Sequence, residues 1–267
     1  SNELSKLGFS STHEYLIYSM KQVNENFDLF PHANPGLMSI GEIIDLKKHS
    51  PSGGVMIESF SKKIYEKGKA HYKTESKYID LRLETLSNAY EVKYPVTTGL
   101  LLGLTATKEE IVDDISNLIS LLNKNSAIQE VILQNFRAKK NTLMKNSSEI
   151  TNDLFLRIIA TTRIYAPSHI SIQVPPNLSP DINLFLKSGI NDLGGISPLT
   201  IDWVNPDHLW PNINKLKLDI SNTGQQLKKR LPVYPEFIKK EWLSSKIFEK
   251  VNNIVDTDGY PRETNES

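Results

Sequence analysis

No cysteine occurs among the 267 residues. Disulfides, thiolate nucleophiles and any iron–sulfur cluster held by thiolates are therefore excluded within this chain. An excess of charge is missing as well: Lys plus Arg and Asp plus Glu each number 31. Without a net field to draw it toward nucleic acid or an anionic membrane, the protein is better suited to small-molecule chemistry. Long apolar runs are also lacking. The longest, residues 96–104, is interrupted by two threonines and two glycines and falls far short of the roughly 20 residues that span a bilayer. The opening SNELSKLGFS carries no basic lead and apolar stretch of a secretory signal, so a soluble, cytoplasmic protein is expected, with neither nucleic acid nor membrane as a partner. The six histidines show no H-x-x-x-H spacing and the carboxylates form no ligand cluster, so no metal site is expected from them.

What is present is ordinary for a domain able to bury one large core, at 39% hydrophobic and 23% charged residues. Short apolar runs at residues 29–32, 54–58, 96–104, 129–135, 170–174 and 193–196 are each the length of a buried strand. Between them lie helix-like stretches. Ile111, Ile115, Leu118 and Leu122 recur at helical spacing, as do Leu81, Leu83, Leu86 and Tyr90, and residues 13–23 read as a further helix. Thr107 followed by Glu110 forms a capping box for the helix after Leu104. Strands alternating with helices predict an α/β fold with a parallel sheet. One domain is expected over residues 1–256, with a polar tail at 257–267.

Barrel enzymes of this class place their chemistry just after the strands, and blocks at those positions carry a resemblance. In order they read PHANPGLM, GVMIES, TTGLLLGL, IQEVILQNFRAK, IQVPPNL, GINDLGGISPLT and LPVYPEF. The set resembles the deazaflavin-forming enzymes of the radical S-adenosylmethionine family, and QNFRAK and LPVYPEF resemble the first subunit of that system more than its partner. The resemblance implies a TIM-type (β/α) barrel of which about six of eight units are present. In that family a C-x-x-x-C-x-x-C loop after the first strand holds a [4Fe-4S] cluster that cleaves S-adenosylmethionine to a 5′-deoxyadenosyl radical. The chain is expected to be a fragment beginning after that loop, with two strands upstream of it. The implied activity is that of a lyase: hydrogen abstraction from an adduct of tyrosine and 5-amino-6-ribitylaminouracil, then closure of the deazaflavin ring with loss of ammonia. The implied partner is a second radical subunit or a fused second barrel.

The resemblance also implies site residues. Glu58 stands where a carboxylate accepts from the ribose hydroxyls of S-adenosylmethionine; read alone, it is a surface Glu capping a helix at Ser59. Arg82 in RLETLSNA stands where an arginine fork grips the methionine carboxylate; the alternative is a solvent-facing Arg paired with Asp80 or Glu84. Thr98 and Gly99 would lie beside the methionine portion, and Asn135, followed by Arg137, would pass the adenine, unless Asn135 merely forms a turn. Catalytic residues are not assigned. For the substrate, His32 and Asn34 in PHANPG and Gln173, Asn177, Asn191 and Asp192 after the last strands are the candidates, the latter four for the uracil or ribityl portion. Departures from the family pattern fall at Thr105 and Ala106, where Gly and Glu are usual, at Ala33 for Thr and at Leu193 for Trp. Two rivals are the partner subunit, which joins tyrosine to the uracil, and a cluster-less barrel that serves as a binding protein.

Overall fold

A computed structural model describes residues 2–104, 107–179, 181–197 and 199–262. The chain begins with helices α1 (Asn2–Lys6) and α2 (Thr12–Asn26), then strand β1 (His32–Ala33), α3 (Ile40–Lys47), β2 (Ser52–Gly54), α4 (Ile79–Glu91), β3 (Val96–Leu102) and α5 (Lys108–Lys124). It continues through β4 (Ile128–Asn135), α6 (Asn152–Tyr165), β5 (Ser171–Gln173), α7 (Ile182–Lys187), α8 (Ile213–Ser221) and α9 (Ser245–Asn252). The strands form one five-stranded sheet in chain order β1-β2-β3-β4-β5, every neighbour parallel. Parallel strands in sequential order with helical crossovers are the arc of a (β/α) barrel.

Expected and observed strands agree closest where the chain is most apolar. β3 and β4 lie within one or two residues of expectation and pair over their whole length. At the arc's ends the strands are shorter. The run at 29–32 contributes only His32 to β1, whose second residue is Ala33. The run at 193–196 is not a strand: Asp192 alone bridges Gln173. Glycine explains the second case. Gly194 has φ 68°, a left-handed conformation that ends a strand, and its N–H donates to Asp192 Oδ1 at 2.7 Å.

The helices fold for legible reasons. α5 carries the expected capping box, Thr107 Oγ1 accepting from Glu110 N at 3.2 Å and Glu110 Oε2 from Thr107 N at 3.2 Å. Its buried stripe is the expected Ile111, Ile115, Leu118 and Leu122, with Asp114 added. α4 turns differently from expectation. It buries Ile79, Arg82, Thr85, Leu86 and Ala89, while Leu81 and Tyr90 stay exposed. The polar members are tolerated because they are partnered: Thr85 Oγ1 accepts from Met38 N at 3.1 Å, and Arg82 meets a carboxylate described below.

Leu46, Leu86, Val96, Leu118, Leu133, Ile159 and Ile172 are fully enclosed in one continuous core between sheet and helices. Each such side chain contributes about 1.5–3 kcal/mol on burial. A second, smaller cluster gathers Leu231, Val233, Tyr234, Phe237, Leu243, Ile247, Val251 and Val255. It closes the amino-terminal end of the arc: Pro232 O accepts from Ser52 Oγ at 2.6 Å and from Gln129 Nε2 at 2.9 Å, and Gln129 Oε1 accepts from Tyr234 N at 3.1 Å. Residues 256–262 fold back on this cluster, Arg262 N donating to Ile254 O at 2.9 Å. No helix among the described residues is long and apolar enough to cross a membrane.

Candidate functional site

Glu58 follows β2 with φ 66°, a conformation that non-glycine residues adopt rarely and that the surroundings must enforce. Its backbone is held by Glu58 N donating to Gly99 O at 2.8 Å and Leu101 N donating to Glu58 O at 2.9 Å. Directly after it, Asp114 of α5 accepts from Phe60 N at 2.6 Å and Ser59 Oγ at 3.1 Å. No helix starts at Ser59, so Glu58 is not a helix cap. Its carboxylate, 16% exposed, meets His71 Nε2 at 2.9 Å and Arg82 Nη1 at 3.4 Å, and also pairs with Lys77 Nζ. Arg82 is buried rather than solvent-facing, and pairs with neither Asp80 nor Glu84. Its Nε donates to Ser76 O at 3.1 Å, and Nη2 has no partner among the described residues. Burial pushes the His71 imidazole down despite the neighbouring carboxylate, and its Nδ1 is buried without a partner. His71 and Lys77 belong to this cluster, although spacing alone gave no sign of them.

The other residues expected to hold the cofactor separate into two groups. Thr98 and Gly99 are tied into the sheet. Thr98 Oγ1 donates to Val55 O at 2.8 Å, and a Cβ on Gly99 would stand 2.2 Å from Ile132 O, so the glycine is required by strand packing. Asn135 ends β4 rather than forming a turn, is 2% exposed, and has no partner for either amide atom. Arg137 is engaged with Glu149 Oε2 at 2.7 Å and Leu178 O at 2.8 Å. Thr105 and Ala106 lie outside the described residues.

Of the residues expected to meet substrate, Asn191 is structural: its Oδ1 accepts from Arg163 Nη2 and Ile172 N, both at 2.8 Å. Asp192 belongs to a buried ion cluster. Arg230 donates to Asp192 through Nε at 2.5 Å and Nη2 at 2.9 Å, and through Nη2 to Glu130 Oε1 at 2.8 Å. Glu130 also accepts from Thr97 Oγ1 at 2.8 Å and Tyr234 Oη at 2.9 Å, and the guanidinium lies 4.3 Å from the Tyr234 ring centroid. Burial and the facing Asp192 raise the Glu130 carboxyl against the lowering effect of Arg230. His32 lies beside this floor, its Nδ1 2.9 Å from Ser52 Oγ. Crowding by protein and then the Arg230 cation push the imidazole down. The residue as a whole is exposed at the sheet edge, which argues for a smaller depression than crowding alone would give. Asn34 is exposed.

Gln173 and Asn177 converge with Gln134, Leu178, Leu193 and Trp210 on a cavity of about 220 Å³. A larger cleft, about 850 Å³, lies over the amino-terminal ends of α5 and α6. There Thr107 and Thr151 are committed to helix caps and Glu149 to Arg137.

No family model matches the chain. Curated relatives do. The chain is 38% identical over 260 residues to the 7,8-didemethyl-8-hydroxy-5-deazariboflavin synthase of Methanopyrus kandleri, covering 97% of this chain and 78% of that protein. It is 40% identical over 250 residues to the synthase of the same name from Methanocaldococcus jannaschii, covering 93% and 69%. The chain belongs to the deazaflavin synthase family. Solved structures agree on the barrel. Methylornithine synthase (PylB) aligns with a TM-score of 0.61 at 18% identity, covering 80% of this chain and 64% of that one. HydG, a maturase of the [FeFe]-hydrogenase, aligns at 0.57 and 17%, covering 67% and 42%. At those identities the likeness concerns the fold alone.

Two cofactors expected for a deazaflavin synthase fare differently against these residues. A [4Fe-4S] cluster finds no thiolate in the chain, and no group of three or more His, Asp or Glu among the described residues could hold a metal ion. The residues present do not fit it. A sugar- and carboxylate-bearing cofactor does find fitting groups, in the unpartnered Asn135 amide and the open Nη2 of Arg82 beside Glu58.

Proposed function

We propose that this chain forms the cofactor- and substrate-binding wall of a radical S-adenosylmethionine lyase of deazaflavin biosynthesis. The reaction turns the tyrosine/5-amino-6-ribitylaminouracil adduct into 7,8-didemethyl-8-hydroxy-5-deazariboflavin, with 5′-deoxyadenosine, methionine and ammonia as co-products. The partner is a second radical subunit or a fused second barrel. The observation that carries this reading is the strained Glu58 held at the carboxyl end of β2, its carboxylate meeting Arg82 from α4.

Bound there, S-adenosylmethionine is the source of the hydrogen-abstracting 5′-deoxyadenosyl group. Glu58 accepts from a ribose hydroxyl at Oε2, which carries only the His71 contact while Oε1 already takes Lys77 and Arg82, since each carboxylate oxygen takes more than one donor. Arg82 offers its free Nη2 to the methionine carboxylate, already oriented by Glu58 and Ser76. Asn135 gives the adenine edge a donor and an acceptor otherwise buried without use. The chain alone, having no ligands for the cluster, is expected to bind without turning over.

Calorimetric titration of the chain with S-adenosylmethionine tests this. Glu58→Gln and Arg82→Lys are each expected to weaken binding about tenfold, the size of one charge-assisted hydrogen bond. Binding that is absent, or indifferent to both substitutions, defeats the reading.

A further inference from the structure

We propose that Asp114 of α5 is a positioning residue for Glu58, holding its carboxylate in the posture in which it meets the cofactor. The assignment rests on the synthase reading above and adds a control on the same site.

Glu58 does not hold its conformation by itself. At φ 66° a residue with a Cβ stands where backbone sterics disfavour it, and an unconstrained chain would relax to the extended region. Contacts on two sides oppose that. Strand β3 fixes where Glu58 lies, through Gly99 O and Leu101 N. Asp114 fixes the direction the chain takes afterwards. Its Oδ1 accepts from Phe60 N at 2.6 Å and from Ser59 Oγ at 3.1 Å, and Ser59 Oγ in turn accepts from Ser61 N at 3.1 Å. One carboxylate oxygen thereby ties down Ser59, Phe60 and Ser61, the residues directly after Glu58. Glu110, one turn earlier on α5, extends the hold by accepting from Ser61 Oγ at 3.2 Å and pairing with Lys63 at 3.3 Å.

The placement of Asp114 is costly for the fold. It lies on the buried stripe of α5 beside Ile111, Ile115 and Leu118, is 4% exposed, and has no cation against it among the described residues. An apolar side chain would suit that stripe better, since a carboxylate there loses its hydration. What the carboxylate gives in return is the hold on the segment behind Glu58.

That hold depends on charge. Burial pushes the Asp114 carboxyl up to about 6, with Glu110 adding to the rise and the bonds from Phe60 and Ser59 opposing it. The groups facing Glu58 itself are His71, Lys77 and Arg82. Hydrogen bonds to an ionised acceptor are roughly twice as strong as those to a neutral one. The ionised form, which costs the folded state stability, is therefore the form that holds Glu58, and the hold loosens as pH falls through about 6.

The test compares the parent chain with Asp114→Asn, which imitates the protonated form, by calorimetric titration with S-adenosylmethionine at pH 7 and at pH 5. The parent is expected to bind about fivefold more tightly at pH 7, and the two affinities should converge at pH 5. Taking their ratio cancels the titration of groups common to both proteins. Asp114→Ala, which removes the acceptor, should weaken binding about tenfold at pH 7. Leu118→Ala, one turn along the same buried face, lowers stability by a cavity and should leave affinity within about twofold of the parent. Thermal melts verify folding, and Asp114→Asn carries the test where Asp114→Ala does not fold. Equal affinities of parent and Asp114→Asn at pH 7, or equal weakening by Leu118→Ala and Asp114→Ala, overturn the proposal.

A second measurement needs no ligand. His71 Nε2 lies 2.9 Å from Glu58 Oε2, so the NMR signals of its ring report where that carboxylate stands. In the parent they should shift as pH passes through about 6, and that step should be missing from Asp114→Asn. Identical titration of the His71 signals in both proteins overturns the proposal. If His71 responds to Asp114 while S-adenosylmethionine fails to bind, the synthase reading fails and the positioning of Glu58 stands. If binding depends on Glu58 but neither affinity nor His71 responds to Asp114, the positioning alone fails.

Discussion

The two ends of the barrel arc treat their buried polar groups in opposite ways. At the floor, Glu130, Arg230, Asp192, Tyr234 and Thr97 satisfy one another in a closed network. At the mouth, Asn135, Asn177 and Trp210 keep buried atoms without partners, and Gln134 and Gln173 add amides that nothing in the described chain engages. Both ends are built from the same strands: Glu130 and Gln134 lie on β4, and one strand carries a spent polar residue and an available one. Satisfied networks fix a structure, whereas unsatisfied ones are kept at a cost in stability and mark where another molecule belongs. The difference predicts that substitutions at the floor act on folding and those at the mouth on binding.

The largest effect is expected from Arg230→Met. It leaves the Glu130 and Asp192 carboxylates, 5% and 10% exposed, facing each other without a cation. Removing one partner of a buried ion pair typically costs about 3–5 kcal/mol. Urea denaturation followed by circular dichroism should show a loss of that order. A loss below about 1 kcal/mol would mean that the floor is not held by these charges, and the comparison would collapse.

Asp114 sharpens the comparison from the mouth side, because it is buried, partnered, and lacks a cation. Burial outweighs its hydrogen bonds from Phe60 and Ser59 and pushes the carboxyl up from 3.8 to about 6. A carboxyl raised in the folded state binds protons there in preference to the unfolded chain, so its contribution is most favourable at low pH. It is lost as pH rises through about 6. At about 1.4 kcal/mol per unit, the loss between pH 4 and 7 is on the order of 3 kcal/mol. Asp114→Asn keeps an acceptor for Phe60 and should flatten the stability-against-pH curve over that range relative to the parent. Parallel curves for the two proteins would show that Asp114 does not titrate as the burial argument requires.

Much of this contrast was hidden from the sequence for a physical reason. Periodicity and capping speak about residues a few positions apart, so β3, β4 and α5 were legible almost to the residue. The resemblance singled out Glu58 and Arg82 separately, but their meeting across 24 positions was not legible in the sequence. The floor joins Glu130 to Arg230 across 100 positions, and Arg230 lies in KKRLPVYPEF, where nothing local distinguishes it from the neighbouring lysines. At Gly99 the packing requirement was hidden too: a glycine that allows close approach can serve a neighbouring strand as well as a ligand, and Ile132 O demands it for the strand. Asn191 and Asp192, adjacent in the sequence, proved to be a structural tie and a floor residue, because successive side chains near a strand end diverge.

A smaller effect is expected at Gly194, where the two ends touch. With φ 68°, Gly194→Ala introduces backbone strain of about 1 kcal/mol and sets a methyl against the Gln173 amide. A modest fall in melting temperature, measured by thermal denaturation, should result. An unchanged melting temperature would show that the Gln173 side chain gives way to the methyl and that the left-handed backbone at this position carries no strain.

Gln134→Leu should give the smallest change in stability and thereby sharpen the comparison most. The side chain is partly exposed and makes no hydrogen bond within the described chain, so its replacement by an apolar group of similar size removes no partner and leaves none stranded. Stability should stay within about 0.5 kcal/mol of the parent. Four residues earlier on the same strand, Glu130→Leu leaves Arg230 its pair with Asp192 but strands the buried Thr97 and Tyr234 hydroxyls, and should cost several times that, about 3 kcal/mol or more at about 1–3 kcal/mol for each stranded donor. The ratio of the two losses, measured in one denaturant series, puts the boundary between a residue kept for the fold and one kept for a ligand within two repeats of the β4 pleat. Equal losses would mean that Gln134 has a structural partner after all, and that the mouth is as closed as the floor.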